Sequence, residues 1–144
     1  MYDNNLFSAH TSANMHLIAD IAKAINGEYS AIFCYAQLAK SAPNEEARNQ
    51  ILEIRDDEIN HYKSFSQIYA SLTGRQPTPQ IIEQCEAHYE AGLRAAFKDE
   101  QMTTDFYLDI ADRTNQPYIR ETFRRASADE QNHAVWFLYY LTAN

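Results

Sequence analysis

The sequence predicts an all-α protein whose 144 residues form two helical hairpins. Apolar residues recur at the three- and four-residue spacing of helices, and no stretch alternates convincingly as a strand would. Glycine and proline are scarce, three and four in the whole chain, which favours long helices. The length and the 45% hydrophobic content predict one compact domain over residues 1–144.

Turn-forming stretches divide the apolar runs into four helical segments. The predicted helices are Ser12–Lys40, Glu45–Leu72, His88–Arg113 and Tyr118–Leu141. Residues 41–44 and 114–117 each combine a proline with polar residues that favour turns and helix caps, so both predict tight turns. Residues 75–80 contain two prolines and predict the main linker, which is followed by a short helical piece over Ile81–Ala87.

Charge and hydropathy argue against several classes of partner. A formal charge of −8 argues against nucleic acid and against anionic membrane surfaces. The richest apolar run, Ala134–Leu141, is far too short to span a bilayer, and the N-terminus has no secretory signal pattern. Cys34 and Cys85 form no C-x-x-C pair, so we expect buried free thiols in a reducing cytoplasm.

One acidic pentad occurs twice in the sequence. DEINH at Asp57–His61 recurs as DEQNH at Asp129–His133, and a shift of 72 residues superposes them without an insertion. The same shift aligns Glu28 with Glu100, Tyr35 with Tyr107, Arg48 with Arg120 and Phe65 with Phe137. These matches indicate a duplicated hairpin, with repeats at about residues 12–73 and 84–144.

The repeat brings metal-binding residue types to one depth of the predicted bundle. Each pentad contains Glu-x-x-His, whose two side chains share one helix face. A glutamate on the preceding helix lies about as far from the hairpin turn, so it stands level with the pair. The residues concerned are Glu28, Glu58, His61, Glu100, Glu130 and His133.

Four buried carboxylates in one layer require compensating positive charge. Burial of each would cost several kcal/mol, and the carboxylates would also repel one another. Two divalent metal ions supply four positive charges and leave the site neutral. Carboxylate oxygen and imidazole nitrogen suit iron or manganese, whereas the lack of thiolate ligands argues against structural zinc.

This ligand pattern resembles that of the ferritin-like di-iron carboxylate bundles. The chain is similar to the rubrerythrin and bacterioferritin branch from Ser12 onward. The resemblance implies a four-helix bundle with a long crossover between helices two and three, so that helices one and three run antiparallel. By position, it implies Glu28 and Glu100 as terminal ligands, Glu58 and Glu130 as bridging ligands, and His61 and His133 as one imidazole per metal.

Four further residues lie close to the expected ligands. The resemblance implies that Asp57 and Asp129 accept the outer N–H of the histidine of the opposite pair. Tyr35 and Tyr107 follow the terminal glutamates by seven residues and lie on the same helix face. A hydrogen bond to a ligand carboxylate, a redox-active phenol and ordinary core packing are all open for these tyrosines.

The sequence departs from its relatives in three features. The additional rubrerythrin carboxylate is replaced by Ala31 and Thr103. No cysteine quartet is present for a rubredoxin domain. The haem-binding methionine of bacterioferritin is replaced by Ile59 and Gln131, so no haem is expected.

The resemblance implies a non-haem oxidoreductase with two iron ions per chain, or alternatively manganese. Its chemistry would be redox reaction with dioxygen or hydrogen peroxide, as a ferroxidase or a rubrerythrin-type peroxidase of oxidative stress. A manganese catalase-like enzyme and a metal-binding or structural module without turnover are the alternatives. The electron donor is left unidentified. The apolar residues 135–140 predict core packing and a homodimer surface.

Overall fold

The computed structural model describes the backbone of residues 4–143 and the side chains of residues 14–143. Its helices are α1 (Asn4–Lys40), α2 (Glu45–Thr73), α3 (Tyr89–Arg113) and α4 (Pro117–Thr142). No strand occurs among these residues, which confirms the predicted all-α fold. Within the described range, none of the helices combines the length and apolar character needed to cross a membrane. Three helices match their predicted bounds to within one residue, whereas α1 begins at Asn4 rather than Ser12.

Local sequence signals account for the helix ends. Asn44 caps α2, where its side-chain oxygen accepts a hydrogen bond from the Ala47 backbone N–H at 2.9 Å. Gly74 ends the same helix with φ of 72°, and its N–H bonds to the Ala70 carbonyl at 2.8 Å. Glycine is favoured in that left-handed conformation because glycine has no Cβ. Pro117 is the first residue of α4, where its missing N–H costs nothing.

The helices pack as two hairpins, α1 with α2 and α3 with α4. Two apolar clusters fill the interior, one at each end of the bundle. In one of them Phe65 and Phe123 stack with ring centroids 4.3 Å apart, a pairing worth about 0.5–1.5 kcal/mol beyond its area burial. The other contains Ile51, Ile54 and Phe137. A layer of buried polar side chains therefore lies between two well-packed ends.

Contacts across the hairpins show that α1 and α3 run antiparallel. Tyr35 of α1 contacts Glu100 of α3, while Glu28, earlier in α1, contacts Tyr107, later in α3. The connection between α2 and α3 therefore passes along the length of the bundle. This confirms the crossover topology that the family resemblance implies.

The crossover, residues 74–88, contains no helix. The prediction of a helical piece over Ile81–Ala87 is therefore wrong. The backbone N–H of Gln80 donates to Asn26 Oδ1, and that of Ile82 donates to Ser30 Oγ, both at 2.9 Å. These bonds to α1 side chains replace the bonds that a local helix would make.

Cys34 and Cys85 form a disulfide, so the prediction of free thiols is also wrong. Their Cα atoms are 5.1 Å apart, although 51 residues separate them in sequence. Asn26, Ser30 and Cys34 follow one another at four-residue steps on a single face of α1. The crossover runs along that face and brings Cys85 to Cys34.

Candidate metal centre

The structure brings all six expected ligands together in the polar layer between the two apolar clusters. Glu28 comes from α1 and Glu100 from α3, and α2 and α4 each supply a Glu-x-x-His pair. The most exposed of the six is His61, at only 7%. Charged residues are almost never buried to this degree unless they are paired or bind a metal.

The six side chains form two overlapping groups. In each group one potential ligand atom per residue lies within 4.8 Å of the others. The groups are Glu28, Glu58, His61 and Glu130, and Glu58, Glu100, Glu130 and His133. Glu58 and Glu130 belong to both groups. Two cation sites that share two carboxylates are the arrangement of a dinuclear centre.

Each of the six residues also has one buried atom without a hydrogen-bond partner in the described part of the chain. These atoms are Glu28 Oε2, Glu58 Oε1, His61 Nδ1, Glu100 Oε2, Glu130 Oε1 and His133 Nδ1. Buried polar atoms are normally satisfied, so six unsatisfied atoms in one place need a cause. An oxygen and nitrogen donor set directed at shared points fits two transition-metal ions.

Two aspartates orient the imidazoles. His61 Nε2 lies 2.8 Å from Asp129 Oδ2, and His133 Nε2 lies 2.8 Å from Asp57 Oδ2. An ionised aspartate only accepts hydrogen bonds, so Nε2 must be the donor in both contacts. Each Nδ1 therefore faces the cluster, and each contact joins α2 to α4.

Two tyrosines hold Glu28 and Glu100 by hydrogen bonds, and each of these bonds joins one hairpin to the other. The Tyr35 hydroxyl donates to Glu100 Oε1 at 2.5 Å, and the Tyr107 hydroxyl donates to Glu28 Oε1. Burial, followed by the nearby carboxylates, raises the pKa of both phenols well above 10.0. The phenols are therefore neutral donors near neutral pH. Of the interpretations left open by the sequence, the structure shows the hydrogen bond to a candidate ligand carboxylate.

Three of the four carboxylates have a pKa raised above the ordinary value of 4.5. Burial, followed by the charge of Glu58, raises the pKa of Glu28 from 4.5 to about 8. Burial is also the main cause that raises the pKa of Glu100 and Glu130. Burial opposes the ionisation of Glu58 as well, but its contacts with the two histidines outweigh burial and lower its pKa. Burial thus disfavours the ionised form of these three carboxylates.

The two imidazoles are also held in their charged form. Burial acts to lower the pKa of His61, but the hydrogen bond to Asp129 and the close carboxylates of Glu28 and Glu58 raise it to about 12. The same opposition of burial and neighbouring carboxylates raises the pKa of His133 to about 11. Two imidazolium ions among carboxylates show how strongly this layer attracts positive charge.

A cavity of about 180 Å³ between α1 and α3 gives access to the cluster. Its inner wall includes Glu28, Glu58 and Glu130. Ala31 and Thr103 also line it, at the positions where rubrerythrins carry the additional carboxylate. These smaller side chains leave room beside the candidate metal positions for a molecule the size of dioxygen or peroxide.

A second acidic pair at this cavity was not predicted from the sequence. Asp99 and Glu83 both line it, and burial followed by the charge of Glu83 raises the pKa of Asp99 to about 8. The repeat could not reveal Asp99, because the 72-residue shift places Gly27 opposite it. Glu83 lies in the crossover, outside the duplicated helices. The position of Asp99 directly before Glu100 is the only sequence signal for it.

The fold and the cluster define a ferritin-like protein with a candidate dinuclear metal site. The rubrerythrin family model matches residues 91–143. The chain is 54% identical over 125 residues to the uncharacterized protein YhjR of Bacillus subtilis, covering 87% of this chain and 86% of YhjR. The chain belongs to the same family as YhjR, and its C-terminal part is similar to the rubrerythrin family.

Solved structures support the same fold. A hypothetical protein from Pyrococcus furiosus superposes with a TM-score of 0.75 at 19% identity, over 87% of each chain. A two-domain protein from Anabaena variabilis, with DJ-1/ThiJ/PfpI-like and ferritin-like domains, superposes with a TM-score of 0.70 at 12% identity. That match covers 90% of this chain and 37% of the two-domain protein.

Proposed function

We propose that this protein is a non-haem di-iron oxidoreductase that reduces hydrogen peroxide or dioxygen. The observation that carries the proposal is the pair of ligand groups that share Glu58 and Glu130. Two shared carboxylates would hold two metal ions close enough to act on one small oxidant together. Two iron(II) ions bound there would supply two electrons to that oxidant.

The chain's own residues would fix the ligands before any metal binds. Asp57 and Asp129 hold the imidazoles with Nδ1 facing the cluster. Tyr35 and Tyr107 hold one oxygen of each terminal glutamate and leave the other oxygen of each without a hydrogen-bond partner. Hydrogen bonds from such neighbouring groups orient the residues that bind the metal and raise their affinity for it.

The cavity supports a small oxidant as the substrate. Its volume of about 180 Å³ is less than the roughly 300–1,000 Å³ of sites that bind drug-sized ligands. Its wall contains three of the six ligands, so a molecule within it would lie directly beside the metals. The two apolar clusters fill the interior on either side of the polar layer.

Stopped-flow absorbance tests the proposal. Protein loaded anaerobically with iron(II) is mixed with hydrogen peroxide or with dioxygen, and Glu58→Ala is the matched control that lacks a shared ligand. Rapid oxidation of two iron ions per chain by peroxide supports a peroxidase. Rapid oxidation of the two ions by dioxygen supports a ferroxidase. Oxygen release from peroxide by the manganese-loaded protein would favour a catalase-like enzyme. Inertness of both metal forms would leave a metal-binding or structural module.

A further inference from the structure

The disulfide lies beside the cavity that reaches the candidate metal centre. A smaller cavity of about 50 Å³ is lined by Cys34 and Cys85. Ala31, Glu83 and Asp99 line both this cavity and the one that reaches the cluster. The two cavities are therefore neighbours along α1, with these three residues in the walls of both.

A short chain of bonds also connects the sulfur to a candidate ligand. Cys34 directly precedes Tyr35 on α1, and the Tyr35 hydroxyl donates to Glu100 Oε1 at 2.5 Å. One peptide unit, one phenol and one hydrogen bond thus link Cys34 to the metal layer. The neighbouring cavities and this chain of bonds are the two connections between the disulfide and the candidate metal layer.

The crossover does not depend on the disulfide alone for its position. Asn26 and Ser30 hold its backbone through two hydrogen bonds at 2.9 Å. The 72-residue shift places Lys98, Met102 and Phe106 opposite Asn26, Ser30 and Cys34, so α3 has no counterpart of this attachment. The cysteine pair is thus an addition to one hairpin of the duplicated bundle, and it can open while the crossover stays attached.

We propose that Cys34 and Cys85 are the two-electron donor of the di-iron centre. This proposal rests on the proposed function and adds the donor that the sequence leaves unidentified. In the overall reaction one dithiol and one hydrogen peroxide give one disulfide and two water molecules. Each sulfur loses one electron and one thiol proton, the S–S bond forms, the O–O bond breaks, and both protons end in water. Iron ions held by the six cluster residues would supply the redox couple between the dithiol and the peroxide.

Renewal of the dithiol requires an external dithiol reductant. Such a reductant opens the disulfide by thiol–disulfide exchange and is itself oxidised to a disulfide. Neither cysteine is fully buried, and Cys85 lies between the exposed residues Gln84 and Glu86 of the crossover. An attacking thiolate can therefore reach the sulfur atoms from the outer side of the bundle.

Thiol counting after a single exposure to peroxide tests the donor role. The full chain is reduced with dithiothreitol, freed of it, loaded with iron(II) without oxygen, and mixed with one equivalent of hydrogen peroxide. Samples are quenched with acid and N-ethylmaleimide, and intact mass counts the alkylated cysteines while residual peroxide is assayed in parallel. We expect loss of both free thiols per chain with one peroxide consumed, and much slower loss in metal-free protein.

The outcomes separate this proposal from the function on which it rests. If peroxide is consumed but both cysteines stay free, so that the quench alkylates them, the donor assignment alone would be overturned. Equal rates of disulfide formation with and without metal would also overturn it, because the thiols would then react directly. If the loaded protein leaves peroxide unconsumed, the proposed function fails and the donor role fails with it. With excess dithiothreitol, Cys85→Ser should perform one turnover and stop, whereas Gln84→Ala should continue like the wild type.

Discussion

The Tyr107 hydroxyl donates a hydrogen bond to Glu28 across the boundary between the two hairpins. Tyr35 donates to Glu100 in the opposite direction at 2.5 Å. The aspartate contacts follow the same rule, because His61 is held by Asp129 of the other hairpin. Each half therefore supplies candidate ligands that the other half orients. Neither hairpin alone contains a complete site.

Loss of either tyrosine hydroxyl should destabilise the metal-free protein. Tyr107→Phe leaves Glu28 Oε1 buried without its donor, which should cost about 1–3 kcal/mol. Tyr35→Phe should have a similar cost through Glu100. The control is Tyr118→Phe, whose 64% exposed side chain predicts a change within about 0.5 kcal/mol. Urea unfolding at neutral pH measures all three, and equal stability of Tyr107→Phe and the control would contradict the account.

Removal of one orienting aspartate should weaken metal binding at one histidine. Asp129→Ala deprives His61 Nε2 of its acceptor, and loss of such a partner lowers metal affinity by about 10–100-fold. The second metal, beside His133, should bind almost as in the wild type because Asp57 is unchanged. Asp56→Ala is the matched control, since Asp56 is exposed and next to Asp57. Anaerobic titration with iron(II) measures both affinities, and an equal loss at the two sites would count against the pairing.

Metal-free protein should lose stability as the pH rises from about 5 to about 8. The pKa of Glu28 is raised from 4.5 to about 8, so the folded chain keeps a proton that the unfolded chain releases over this range. The raised pKa values of His61 and His133 act in the same direction above about 6.5, where unfolded histidine loses its proton. The lowered pKa of Glu58 acts only below about 4.5, where stability should fall again as the pH falls.

Melting curves at several pH values, with chelator and with bound metal, test this dependence. Metal ions replace the protons of the cluster, so the loaded protein should lose most of the downward slope. Parallel slopes for the two forms would mean that these groups do not share a metal site. A metal-free protein whose stability rises between pH 5 and 8 would contradict the sign of the raised pKa values.

Much of the fold was predictable because its signals are local or repeated. The caps at Asn44 and Pro117 follow from residue type, and the helix bounds follow from apolar spacing. The juxtaposition of the six cluster residues could be predicted because two copies of Glu-x-x-His at matched depths constrain each other. Packing of Phe137 in the core also agrees with the apolar run that contains it. The exposed Val135 and Tyr139 nearby leave the homodimer a prediction.

The crossover could not be predicted because its contacts are with a distant helix. Ile81–Ala87 has a composition that suits a helix, but hydrogen bonds to Asn26 and Ser30 hold its start along α1. The disulfide depends on that path, since Cys85 approaches Cys34 only after the crossover is laid on α1. The same holds for Glu83, which meets Asp99 from the crossover.

Replacement of either shared glutamate should abolish the dinuclear centre. Glu58→Ala and Glu130→Ala each remove a side chain that belongs to both ligand groups, whereas Glu28→Ala removes a ligand from one group only. The first two variants should therefore lose the paired site, and the third should retain one metal per chain. Glu53→Ala, at an exposed position on α2, is the control. Metal analysis after anaerobic loading gives the count, and full two-metal occupancy in both shared-ligand variants would exclude the bridging roles.

Anomalous diffraction at the iron absorption edge, from crystals of iron-loaded protein, tests whether the polar layer holds a dinuclear iron centre. We predict two iron peaks per chain in the polar layer, both in contact with Glu58 and Glu130. One peak should also contact Glu28 and His61, and the other should contact Glu100 and His133. A single peak, or iron bound only outside this layer, would contradict the dinuclear centre and the function proposed from it.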